Sequence, residues 1–131
     1  MTEREDYEHV LREGTEAFNR GDLRAILPLL AQDVECHIPI GLGNSGTWHG
    51  HDGFLEMAEA WNEAFEEIRN DIVSTDFPDE RHAILEVRQS GVGSGSGVPV
   101  ETRFVYLFEL RDGLVTRFHI YGDREAALAA I

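Results

Sequence analysis

The sequence predicts an α+β domain, with helices from the N-terminal half packed on one side of a curled antiparallel sheet. Three observations predict it. Apolar residues recur at three- or four-residue spacing through 7–30 and again from 54 to 68. Alternation with period two takes over in the C-terminal half, and the two last strands carry apolar side chains on both faces. At 131 residues and 42 % apolar content, the chain is long enough to own a core and too apolar for a disordered acidic tail. A single domain over 1–131 is expected.

The elements follow in order. Tyr7, Val10, Leu11, Gly14 and Phe18 lie at helical spacing opposite Glu5, Glu8, Glu13 and Glu16, an amphipathic first helix ended by Gly21. Asp22 is positioned to cap a second helix bearing Leu23, Ile26, Leu27 and Leu30, and Pro28 within it makes that helix short or kinked. Val34, Cys36 and Ile38 alternate with Glu35 and His37 in a brief strand stopped by Pro39. A glycine-containing loop over 40–50 precedes a third helix capped by Asp52, whose stripe is Phe54, Met57, Ala58, Trp61, Phe65 and Ile68. Strands are expected over 72–75, 83–90, 100–110 and 114–121. Residues 77–81 form a polar turn, 91–97 a flexible connection, and Gly113 suits the positive φ of a hairpin turn. A terminal helical turn spans 123–130.

On the 100–110 strand, Phe104, Tyr106 and Phe108 share one face and Val105 and Leu107 the other; Leu114, Phe118 and Ile120 likewise oppose Val115 and Tyr121. Helices cover one face. A second subunit is the simplest cover for the other, which predicts a homodimer through the outer sheet face. A curved sheet closed by three helices leaves a cone, with the third helix, the loop before it and the strand interiors around its mouth.

Twenty-five acids against 11 bases, all arginine, set a formal net charge of −14, which repels phosphate backbones and anionic membranes and excludes nucleic acid and membrane as expected partners. Between 52 and 80 there are ten acids and one base, Arg69, whereas 81–124 holds six arginines and five acids. The charge is thus a helical shell. One cysteine, Cys36, excludes an internal disulfide framework, and the acidic start is unlike a signal peptide, so a cytoplasmic location is expected.

With these elements in place, the chain resembles the NTF2-like superfamily and, within it, the SnoaL-like group related to polyketide cyclases and ketosteroid isomerases. The resemblance rests on Phe18-Asn19-Arg20-Gly21-Asp22-Leu23, on Leu30-Ala31-Gln32-Asp33-Val34-Glu35, and on Trp48-His49-Gly50 followed by Phe54. It continues in Arg111-Asp112-Gly113-Leu114-Val115 and Tyr121-Gly122-Asp123-Arg124-Glu125-Ala126. It implies an NTF2-like cone and a SnoaL-like domain over the whole chain. Ketosteroid isomerases place an aspartate base before the proline that ends the first strand; Ile38 stands there instead. Tyr7, near the start of the first helix, does not occupy a suitable place for the oxyanion tyrosine of that group. In SnoaL-like cyclases an acid or histidine on the last strand is the acid/base, and the nearest residue here is His119, beside Arg117 and Tyr121.

Each candidate carries two readings. His119 could move a proton within the cone or simply bond across the sheet, and His37 shares that ambiguity. Arg103 could hold a carboxylate or enolate oxygen, or pair with Glu101, Glu86 or a second subunit; Glu86, Arg88 and Gln89 raise the same question. Tyr106 needs a partner for its hydroxyl if buried, and so suits core or ligand contact. Trp48 and Trp61 are the best wall residues, with Phe65, Ile38 and Tyr121 as further contacts. His37, His49 and His51 could be pictured around a metal, but no HExxH or cysteine cluster accompanies them, so neither metal nor cofactor is assigned.

The leading expectation is a pocket for a small apolar or weakly anionic organic molecule, with cofactor-free isomerisation or cyclisation by proton transfer next to a carbonyl. In it His119 is the acid/base and Arg103 or Tyr106 stabilises oxyanion charge. A non-catalytic binder and a structural dimerising domain with a filled cone remain open beside it.

Overall fold

A computed structural model describes residues 3–38 and 46–131. The chain runs α1 (Glu3–Asn19), a 3₁₀ helix (Leu23–Leu29), β1 (Leu30–Ile38), β2 (Gly46–His49), α2 (Gly50–Glu63), β3 (Phe65–Asp79), β4 (His82–Gly93), β5 (Pro99–Arg111), β6 (Leu114–Tyr121) and α3 (Arg124–Ala129). The strands form one six-stranded sheet in the order β2-β1-β6-β5-β4-β3. All ladders are antiparallel except β1 with β6, which is parallel. The α+β class and the curved sheet closed by N-terminal helices are as the sequence predicts. Pro39 as the strand stop, and the 40–45 part of the expected loop, lie outside the described residues.

Several boundaries move, each for a local reason. The segment holding Pro28 takes the tighter 3₁₀ form, which a residue without an N–H interrupts less than it would an α-helix. Asp22 makes no side-chain cap; its carbonyl accepts from Ala25 N–H at 3.2 Å. Asp52 lies in the first turn of α2, and His49 occupies the cap position. The helical stripe continues in sequence to Ile68, yet α2 stops at Glu63 and Phe65 opens β3. Pairing wins over periodicity here: Phe65 and Glu66 register with Gly93 and Val92, and Glu67 turns to φ +53° at a bulge. The β5–β6 turn behaves as predicted, with Asp112 at φ +53° and Gly113 at +80°.

Bulges in β3, β1 and β6 bend the sheet. The concave face gathers Val34, Cys36, Ile38, Leu85, Val87, Phe104 and Tyr106 with Leu11, Ala17 and Met57 of the helices in the main core. Tyr7 is also buried there, and its hydroxyl accepts the Gly113 N–H at 3.2 Å, tying α1 to the β5–β6 turn. A smaller core lies on the convex face, where Ile84, Val105 and Leu107 pack with Ala127 of α3 and with Tyr121. Asp123 caps α3 by accepting Ala126 N–H at 2.8 Å, and Arg124 pairs with Asp76 of β3. The chain's own α3 therefore covers Val105 and Leu107, so these side chains do not call for a second subunit. Val115 departs from its expected face: Thr116 is the extra residue opposite Glu109 and Leu110, and the bulge turns Val115 into the core.

Candidate functional site

Strand alternation places Cys36 and Ile38 of β1, Leu85 and Gln89 of β4, Tyr106 and Phe108 of β5, and Phe118 and Ile120 of β6 on the concave face. α1 contributes Val10, Leu11, Gly14, Thr15 and Phe18, and α2 contributes Phe54, Met57, Ala58 and Trp61. Between them lies a cavity of about 140 Å³. That is close to the roughly 150 Å³ apolar cavity that accommodates a benzene ring. Small or absent side chains at Gly14 and Ala58 and the curvature of the sheet leave the space; elsewhere aromatic rings close it. Phe118 packs edge to face on Tyr106, with centroids 5.1 Å apart, and lies 5.3 Å from Phe108.

One stretch of this apolar wall is polar. The Trp61 indole N–H donates to Gln89 Oε1 at 2.9 Å, and Gln89 Nε2 donates to Asn70 Oδ1 at 2.8 Å. Asn70 and Gln89 are both buried. Asn19, at the end of α1, fixes the backbone beneath: its Oδ1 accepts Asn70 N–H at 2.7 Å and its Nδ2 donates to the Asn70 carbonyl at 2.8 Å. Trp61, Gln89 and Asn70 thus form one hydrogen-bonded row drawn from α2, β4 and β3.

Two lining residues are ionisable, Cys36 and Tyr106. Burial, reinforced by the Glu35 carboxylate, pushes the Cys36 thiol up to about 12. Burial also raises the Tyr106 hydroxyl well above the usual phenol range, with the neighbouring Asn70 side chain opposing it. Both are neutral at pH 7. No arginine, histidine, aspartate or glutamate is among the described residues lining the cavity.

Of the residues singled out from the sequence, Tyr106, Trp61 and Ile38 stand in the wall. Trp48, on β2, packs against the main core without lining the space. Phe65 begins β3 with its ring 6.1 Å from Trp61 and is likewise outside the lining. His119, Arg103 and Tyr121 lie on the convex face, because they alternate with Ile120, Phe104 and Phe118 along their strands. His119 stacks between His37, at 4.2 Å, and Tyr121, at 4.7 Å. Arg103 is exposed and pairs with Glu86 at 3.5 Å. Of the three residues read as catalytic, Tyr106 alone lines the cavity, and His119 and Arg103 stand on the other face of the sheet. His37 meets the Thr47 hydroxyl at 2.6 Å and His51 meets the Leu30 carbonyl at 3.0 Å, so two of the three histidines weighed as a metal group turn to different partners. The sequence reading did not single out Asn70 as a wall residue. Gln89 was legible, since it shares a strand face with Leu85 and Val87 and a polar group there needs a partner.

This fold and this lined cone define the class. A SnoaL-like domain model matches residues 11–118, and the chain belongs to that family. Solved structures agree on the architecture. An NTF2-like protein of unknown function from Burkholderia pseudomallei K96243 superposes with a TM-score of 0.82 at 23 % identity, covering 98 % of this chain and 97 % of that one. TerC, co-crystallised with polyporic acid, gives 0.80 at 22 % identity over 95 % and 96 % of the two chains. A candidate polyketide cyclase from Xanthomonas campestris pv. campestris gives 0.75 at 23 % identity, with 98 % of each chain covered. No functionally curated protein matches the sequence.

Proposed function

We propose that this protein binds one small, neutral, mostly apolar organic molecule in the cavity, with the Tyr106 hydroxyl as its polar contact. Membership of the SnoaL-like family supports a small-molecule role, and the presence of a candidate polyketide cyclase among the structural neighbours agrees with it. The observation that carries the reading is the wall itself: a cavity of about 140 Å³ whose two ionisable lining residues, Cys36 and Tyr106, are both neutral. An ion placed there would lose its hydration with no opposite charge among the described lining residues to replace it, at a cost that a neutral ring does not incur.

Proton abstraction by His119 gains no support from its position on the convex face. A second reading keeps catalysis and gives it to Tyr106, whose neutral hydroxyl lines the cavity and could polarise a substrate carbonyl by hydrogen bonding alone. Binding is common to both readings and is the proposal.

Titration with acetophenone, a single ring bearing one carbonyl, tests it. Saturable quenching of tryptophan fluorescence is expected, since Trp61 lines the cavity. Ala58→Phe, which fills the space from α2, abolishes saturation while unfolding stays cooperative. Quenching that is linear in wild type, or that survives Ala58→Phe unchanged, contradicts the proposal.

A further inference from the structure

The Trp61–Gln89–Asn70 row has a direction, set at its indole end. An indole nitrogen donates and cannot accept. Trp61 Nε1, 2.9 Å from the Gln89 side chain, therefore takes the Gln89 oxygen as its partner. That turns the Gln89 amide nitrogen toward Asn70, where the acceptor 2.8 Å away is Oδ1. With Oδ1 held by Gln89, the Asn70 side chain has its amide nitrogen left. Nδ2 carries two protons, and no side-chain hydrogen bond among the described residues uses either; the Asn19 bonds go to the Asn70 backbone. Nor is Nδ2 sealed within the protein, because Asn62 Oδ1 is the one fully buried, unpartnered side-chain atom among the described residues. Asn70 is 8 % exposed overall and lines the cavity. Its free donor therefore opens onto that space.

We propose that Asn70 is a specificity-determining residue whose amide nitrogen donates to the ligand, so that the cavity takes neutral carbonyl compounds in preference to hydrocarbons of the same shape. This deepens the proposed binding function and rests on it, adding a second contact to that of Tyr106. The two contacts differ in kind. A phenol hydroxyl donates or accepts as the ligand requires, and by itself selects neither. An amide nitrogen only donates, but a freely turning asparagine would offer its oxygen as readily. Gln89 removes that choice by holding Oδ1, and Trp61 removes it for Gln89 in turn. Trp61 and Gln89 are thus positioning residues, and Asn70 makes the contact.

Two probes of matched shape test this, acetophenone and α-methylstyrene, in which C=CH₂ replaces C=O. The first readout is the infrared carbonyl stretch of bound acetophenone in Tyr106→Phe, which removes the other contact. It should stay shifted below its position in a hydrocarbon solvent, as a hydrogen-bonded carbonyl is, and adding Asn70→Leu should return it to that position. A stretch already at the hydrocarbon position in Tyr106→Phe overturns the proposal with Asn70 untouched. The second readout keeps Tyr106 and is calorimetric: the ratio of the two affinities, which loss of packing alone leaves nearly unchanged. Asn70→Leu should lower this ratio by about three- to tenfold, the net worth of one neutral hydrogen bond. Gln89→Met, which keeps side-chain length and frees the Asn70 amide to turn, should lower it by a smaller factor and covers the case in which Asn70→Leu does not fold. A wild-type ratio retained in both variants overturns the role of Asn70 while leaving the binding function intact. If neither probe binds wild type, the binding function fails as well, and the two failures are distinguishable.

Discussion

Tyr106 and Cys36 face the cavity as neutral groups, while the histidine that sequence order suggested as the acid/base stands on the other side of the sheet. His119 has an imidazole held below the ordinary histidine range, first by burial and then by the neighbouring His37 and Arg117, against a smaller opposing effect of Glu35. Its protonation therefore favours the unfolded chain. The stability it supports is complete above the free-histidine value of about 6.5 and is lost as pH falls through the lower folded value. His119→Ala should leave acetophenone affinity unchanged and flatten the loss of thermal stability as pH falls below about 6.5; a loss of affinity in this variant would return His119 to the site. Alternation of side chains is enough to place Tyr106, Ile38 and Gln89 inward from the sequence. It misleads at His119 only if the helix-covered face is taken to include both parities of β6. Asn70 was not legible, since its orientation depends on the bulge at Glu67, which lies within a stretch patterned like helix.

At the level of elements, the contact between α1 and β3 does most to hold the polar row. Asn19 replaces two backbone partners that Asn70 would otherwise lack so close to a bulge. Asn19→Ala should cost about 1–3 kcal/mol by chemical denaturation, because it strands a buried N–H and a carbonyl; a change below about 0.5 kcal/mol would show that other groups satisfy them. Gly14 offers the opposite experiment. It lies inside α1, and a Cβ there would meet Leu29 Cδ1 at 3.5 Å, an ordinary contact. Gly14→Ala should stabilise the protein by about 0.5–1 kcal/mol, with destabilisation arguing that α1 is strained against the 3₁₀ helix. The period-3.6 and period-2 patterns located the helices and the strands β1 and β3 to β6, but not β2: Gly46–His49 falls in the expected loop and becomes a strand through pairing with β1. The ends of α2 and β3 were not legible, because the strand pairing that sets them is decided by β4, distant in sequence. The same holds for the convex face: the six-residue C-terminal helix packs on Ile84, Val105 and Leu107, cover that the apolar pattern alone assigned to a second subunit.

For the whole molecule, the −14 net charge and the neutral cavity are separate properties. The sequence left room for a weakly anionic ligand at Arg103. The structure pairs Arg103 with Glu86 on the convex face, and Arg88 and Arg117 are likewise engaged there with Asp71, Glu101, Glu35 and Glu109. The strand arginines therefore balance surface acids and do not charge the cone. The central claim is that the cone accepts a neutral organic molecule and refuses an ion of the same size. Calorimetric titration at pH 7 with acetophenone and with benzoate tests it most directly, since the two differ chiefly in charge. Saturable binding of acetophenone is expected, with an affinity for benzoate lower by about a hundredfold or more, the consequence of burying a carboxylate where no cation is among the described lining residues. Benzoate binding as tightly as acetophenone would contradict it.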